Sequence, residues 1–276
     1  MKQFLIATIL VFSSQVSSQS NDWIFSKEVK WSEYPDQISK IEKRKRVDSI
    51  LTSTTFRHLE TNYINDSSFH FIDLNNDAKI DLIYSGYAGY ESDRILFYIN
   101  NNGVYELKAH YFGALQSLYF DKNGLNSFLI NDYPCCAGYT HHYETYRFYP
   151  SKNRFGHIDK IACNYFTHLP NQPKINLQFI TTNDKYRLRS EPKIDNTIHE
   201  ENDRQFESIG NVIAEFPAGT KGVAIAEHID STGRVWWFVI IERDASPSFS
   251  IFHSGNNNEY PYKVSGWMSS RYLEQL

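Results

Sequence analysis

The stretch His70–Glu91 reads HFIDLNNDAKIDLIYSGYAGYE. Two short apolar runs, Phe71-Ile72 and Ile80 to Tyr84, flank a polar loop that places Asp73, Asn75, Asp77 and Asp81 at positions 1, 3, 5 and 9. Alternate residues of a tight loop can turn their oxygens inward, so this spacing gathers three carboxylates and an amide around one point. With the Lys79 carbonyl at position 7, the set suits a hard cation such as Ca²⁺. Without a cation, nearby like charges repel. The loop is therefore expected to tie down the front half of the chain.

Outward from that loop, composition sets the class. A 16% aromatic share, with 19 Tyr and 19 Phe against 2 Met, points to β-rich structure, because aromatic rings suit pleated, half-buried surfaces. A net charge of −4, with no basic run beyond Lys43-Arg44-Lys45-Arg46, argues against nucleic acid as a partner.

The N-terminus reads as an address. Met1-Lys2-Gln3 is a short basic start, and Phe4 to Phe12 is an apolar core too short to span a bilayer. Small polar residues follow, with Val16 and Ser18 set for a cut before Gln19. Residues 1–18 are thus expected to be a cleaved secretory signal peptide, placing the protein in the periplasm or outside the cell. No cysteine follows the apolar run, which disfavours a lipid anchor. No other segment approaches transmembrane length.

Export permits disulfides. The cysteines are Cys135, Cys136 and Cys163. A bridge between neighbours strains the backbone, so Cys163 is expected to pair with Cys135 or Cys136. The competing reading is zinc held by these cysteines with His141 and His142, for which adjacent cysteines are poorly placed.

The run PDQISKIEKRKRVDSILTS from Pro35 sets Ile38, Ile41, Val47, Ile50 and Leu51 close to helical spacing, with charge opposite. The basic side is a solvated helix face or a contact for an acidic polymer or lipid head groups. Beyond His70–Glu91 the pattern turns to hairpins. Arg94–Asn100 and Val104–Phe112 flank Asn100-Asn101-Asn102-Gly103; Leu118–Asp121 and Leu125–Ile130 flank Lys122-Asn123-Gly124; Tyr143–Tyr149 and Phe155–Ala162 flank a Pro150–Arg154 turn. The expectation is an α+β domain over 19–172, an antiparallel meander with one amphipathic helix, ending at a Leu169–Pro173 linker.

The Asp73–Asp81 loop resembles the calcium loops of FG-GAP and VCBS-type repeats, whose pattern is D-x-[DN]-x-D-G-x-x-D. Ala78 stands where those families have glycine, and a left-handed L-residue there costs on the order of 1 kcal/mol. The resemblance occurs once, so it implies the ion loop and not a propeller.

From Ile175 the chain resembles bacterial SH3 (SH3b) domains. Tyr186-Arg187-Leu188-Arg189-Ser190-Glu191-Pro192 is similar to their opening strand and turn, and Val212 to Thr220 to the second strand and G-T turn. Val223–Ala226 and Val235–Ile240 fit the middle strands, and Gly266-Trp267-Met268-Ser269-Ser270-Arg271-Tyr272-Leu273 the terminal G-W-V-x-x-x-Y-L. The resemblance implies a small all-β barrel over 173–276, here with insertions at Asp195–Ser208 and Asp244–Val264. Alternation through Tyr186-Leu188, Val223-Ile225 and Trp237-Val239 supplies one apolar face per strand. Trp237 and Trp267 are read as core. Trp236, facing the other way, is the first choice for ligand contact, with Tyr260 and Tyr262 beside it.

SH3b domains accompany cell-wall enzymes and surface proteins and bind peptidoglycan or peptides. The function expected by resemblance is therefore exported, non-catalytic binding or scaffolding. No HExxH, GxSxG, P-loop or dinucleotide fingerprint occurs. The rival is a cysteine- or zinc-dependent wall peptidase or amidase, using Cys135 or Cys136 with His141, His142 or His157.

Overall fold

In this computed structural model the described residues are 28–52, 64–89, 93–133, 140–171, 175–199, 208–252 and 262–276. The expected leader over 1–18, Cys135, Cys136 and Tyr260 lie outside them. Among the described residues the chain is β-rich, with one α-helix and three sheets.

Helix α1 (Lys40–Leu51) starts at Ser39, whose extended backbone (ψ 156°) lets its hydroxyl accept the Glu42 amide at 3.2 Å. Val47 and Ile50 are buried and Ile38 and Leu51 pack beside them, whereas Ile41 is 73% exposed and does not join the core. Part of the basic face is engaged: Arg46 bonds Glu42 and the Tyr105 hydroxyl, and Lys43 bonds Asp36.

Strands β1 (Phe69–His70), β2 (Leu82–Tyr87), β3 (Asp93–Asn101) and β4 (Val104–Phe112) form an antiparallel sheet in that order. The β3–β4 turn has positive φ at Asn102 (54°) and Gly103 (94°), the conformation for which this dipeptide is suited. Both faces of the sheet are covered. Phe69, Leu82, Tyr84, Leu96 and Tyr98 pack with Val47 and Ile50 of α1. Ile83, Ile95, Phe97 and Ile99 pack on the other side against Leu115, Phe128, Ile130 and Phe148. Those partners come from a second antiparallel run: β5 (Ala114–Asp121), β6 (Gly124–Asp132), β7 (Thr140–Tyr149) and β8 (Arg154–Asn164). The three expected hairpins are thus present, inside a helix–sheet–sheet stack.

The C-terminal strands are β9 (Leu177–Thr181), β10 (Tyr186–Arg189), the short pair β11 (Ile198–His199) and β12 (Ser208–Ile209), β13 (Val212–Phe216), β14 (Lys221–Ile229), β15 (Val235–Ile241), β16 (Phe249–Ser250), β17 (Lys263–Ser269) and, after a 3₁₀ turn at Ser270–Tyr272, β18 (Leu273–Gln275). One face of these strands lines a shared core: Phe179, Leu188, Phe216, Ala224, Val239, Ile241, Val264 and Met268.

The two halves are not separate sheets joined by a linker. β17 runs antiparallel to β15 and also pairs in parallel with β8, Lys263 to Ser265 opposite Ile161 to Cys163, giving one 12-stranded sheet across both halves. The Ser265 hydroxyl donates to the buried Ala162 carbonyl at 3.1 Å. At the rim, Asp159 accepts Arg243 (2.6 Å) and Lys263 (3.1 Å).

Candidate functional site

In the Asp73–Asp81 loop the carboxylates organise the loop's own amides. Asp73 accepts the amides of Asn75 (3.3 Å), Asp77 (3.2 Å) and Ala78 (2.8 Å), and Asp77 accepts that of Lys79 (2.9 Å). Asn75 donates its side-chain amide to Asp77 at 3.2 Å. Ala78 takes the left-handed conformation expected at its position, φ 64°. Asp81 closes the loop. It is fully buried and accepts the Leu74 and Asn100 amides, each at 2.8 Å. Burial pushes its carboxyl up to about 7, with the two amide bonds opposing and Asp77 and Asp73 adding to the rise. Among the described residues no three His, Cys, Asp or Glu side chains are gathered to hold a metal. Asp73, Asn75 and Asp77 stay together, with the Lys79 backbone beside them, and Asp81 ties the loop to Leu74 and Asn100.

The loop also braces the second sheet. The Leu74 carbonyl accepts the Leu125 amide at 2.7 Å, and a Cβ on Gly124 would come within 2.4 Å of that carbonyl. Glycine at this turn therefore serves close approach as well as φ 104°.

The structure corrects three expectations. Cys163 is a free, buried thiol, so the bridge from it to Cys135 or Cys136 is not made. Burial pushes that thiol up, and it donates weakly to the Asn164 carbonyl at 3.7 Å. Trp236 is not a surface contact: it is 1% exposed, with its indole donating to Asp230 at 2.9 Å. Alternation does send Trp236 to the face opposite Trp237, but that face is covered by Ile161 and Leu169 from the first half. Tyr262 is buried too, in the C-terminal core. Trp267 is core, as expected, and Trp237 is half-buried.

The rival's histidines diverge. His141 and His142 lie on opposite faces of β7 as consecutive strand residues. His141 sits 3.1 Å from the Asn131 side chain and is held below the ordinary imidazole range by burial. His157 lies 3.8 Å from Glu144.

What the strands assemble instead is a cleft of about 410 Å³ on the C-terminal unit. Its walls are the His168–Asn171 strap, the Glu191–Lys193 turn and Glu227-His228 on β14, with Trp267 at its floor. The Trp267 indole donates to the His168 carbonyl at 2.6 Å, and the His168 amide donates to the Ser190 carbonyl at 2.8 Å. Glu191 pairs with Lys193 at 2.7 Å, and Glu227 accepts the Trp237 indole at 3.2 Å. Sequence reasoning treated Leu169–Pro173 as a linker and so missed this wall. The available signal was an apolar residue, Leu169, set between two otherwise polar neighbours and a proline.

No family model matches the chain, and no curated protein or solved structure matches it either.

Proposed function

We propose that this is an exported, non-catalytic recognition protein whose C-terminal half is an SH3-like small barrel that binds peptidoglycan or a peptide. The observation that carries this reading is the cleft beside the buried Trp267, which is lined by the Glu191 and Glu227 carboxylates and the His168 and His228 imidazoles. The shared core of β9, β10, β13, β14, β15 and β17 supports the barrel, and it sets the cleft on rigid strands.

Purified sacculi test the proposal. Wild-type protein should be retained, and the rim double variant Glu227→Ala/His228→Ala should be retained less. Equal retention of the two, or none by the wild type, removes wall binding. For the ion loop, Ca²⁺ held by Asp73, Asn75, Asp77 and the Lys79 carbonyl should raise the melting temperature, and Asp77→Ala should abolish the rise. A calcium titration without a thermal shift rejects the site at that concentration.

A further inference from the structure

Residues 28–37 tie down the edges of two sheets. β1 ends the four-stranded sheet and β5 ends the 12-stranded one. Just past β1, the Phe71 amide donates to the Asp36 carboxylate at 2.8 Å and the Phe71 carbonyl accepts the Gln37 amide at 2.8 Å. The Asp73 amide donates to the Gln37 side-chain carbonyl at 2.9 Å. On β5, the Leu115 carbonyl accepts the Val29 amide at 3.3 Å and the Leu118 carbonyl accepts the Tyr34 hydroxyl at 2.8 Å. Free edge groups are a template for another strand, so this segment guards both sheets. At its middle, Trp31 lies flat on His70, the planes within 4° of parallel. His70 is 7% exposed, and its Nε2 has no hydrogen-bond partner among the described residues. The charged groups facing it are Asp36 on the segment and Lys43 on α1, which pair with each other at 2.8 Å; across the sheet its neighbour is the apolar Ile83. With Asp36 already taken by Lys43 and the Phe71 amide, a second imidazole proton meets a cation and apolar surface.

We propose that residues 28–37 are an acid-released clasp: protonation of His70 frees the segment from both sheet edges while the stack beneath stays folded. The segment can lift by itself because, of residues 28–37, only Val29 is buried, so little apolar surface is lost. Out from under Trp31 the imidazole regains water and its ordinary proton affinity near 6.5, whereas burial holds it down to about 3 in the closed form. Above 6.5 neither form is charged and the clasp stays shut. Below 6.5 only the open form takes the proton, so opening becomes about tenfold easier per pH unit until the closed form titrates at about 3.

Native-state hydrogen exchange of the full chain tests this, read as protection factors so that the intrinsic pH dependence of exchange drops out. Between about pH 7.5 and 4.5 the protection of the Val29, Gln37 and Phe71 amides should fall by about a hundredfold. Low urea should leave that protection almost unchanged, because a local opening exposes little surface. The buried Ile95 amide, flanked by Ser85 and Tyr111 on the strands either side, should instead show the steep urea dependence of global unfolding. In His70→Phe, whose ring keeps the stack and cannot titrate, the fall at the clasp should shrink to less than about threefold. Clasp amides with the same urea dependence as Ile95 at pH 4.5 overturn the proposal, since the segment would then part only with the whole chain. A fall in His70→Phe as large as in the wild type also overturns it. Should His70→Phe fail to fold, the wild type decides: clasp protection that does not change between the two pH values overturns the proposal.

Discussion

The buried Asp81 carboxylate accepts the Leu74 amide, joining the two ends of the acidic loop, while its other oxygen accepts Asn100 on the neighbouring strand. A single side chain thus satisfies two main-chain donors that would otherwise be stranded at the root of the loop. Asp81→Ala should cost roughly 2–6 kcal/mol, since each of the two buried donors left unsatisfied costs about 1–3 kcal/mol. The loss should appear in urea unfolding with and without added calcium. A loss seen only with calcium present would make Asp81 an ion ligand first.

Ala78 carries a left-handed backbone, φ 64°, and its amide is held by Asp73 at 2.8 Å. Glycine adopts that conformation without the Cβ clash, so Ala78→Gly should stabilise the fold by about 1 kcal/mol, offset in part by a freer unfolded chain. The midpoint should move upward with an unchanged m-value. Destabilisation would mean that the methyl group makes a contact outweighing the strain.

Trp236 separates a binding surface from a core. Buried against Ile161 and Trp267 and bonded to Asp230, it should behave as structure. Trp236→Ala should cost about 3–5 kcal/mol, the range for large-to-small core changes. A stable Trp236→Ala chain with altered sacculus retention would return this residue to the surface.

The same tryptophan shows where sequence reading stops. Hairpins β3–β4 and β5–β6 were legible because their turns, ending Asn102-Gly103 and Asn123-Gly124, dictate local geometry from a few residues. The helix was legible from its spacing; the Ser39 cap on the Glu42 amide was not read. Strand alternation correctly sent Trp236 and Trp237 to opposite faces, but alternation does not say whether the second face is covered. That depends on Ile161 and Leu169, brought there by the parallel β8–β17 pairing, a contact with no local signal. Regular loop spacing likewise does not reveal that Leu74 and Asn100 present amides to Asp81.

His70 provides an acid-sensitive element. Trp31 lies flat on its ring, with centroids 3.2 Å apart, and Nε2 is buried without a partner. Burial holds the imidazole down from 6.5 to about 3, with Lys43 adding to the effect and Asp36 opposing it. The unfolded chain therefore takes up a proton that the folded chain refuses. The residue's contribution to stability is whole above 6.5 and falls as pH drops toward about 3, by up to about 1.4 kcal/mol per pH unit. His70→Phe keeps a stacked ring and removes the titration, so its stability relative to wild type should grow steadily on acidification. A constant difference between the two unfolding free energies across that range would show that His70 titrates normally.

The shared sheet makes a claim about cooperativity. Melting the C-terminal strands alone would break the β8–β17 pairing and expose Ile161 and Leu169 on the first half. Melting the first half alone would uncover Trp236, Phe238 and Trp267. Each large side chain returned to water costs about 1.5–3 kcal/mol, so several such residues on one seam couple the halves by more than the Asp159 ion pairs at its rim, whose partly exposed members contribute about 0–1 kcal/mol each. Calorimetry should show one transition, with equal calorimetric and van't Hoff enthalpies. Asp159→Ala should lower its midpoint slightly without splitting it. Two resolved transitions in the wild type would mean that the halves unfold independently and that the seam does not couple them.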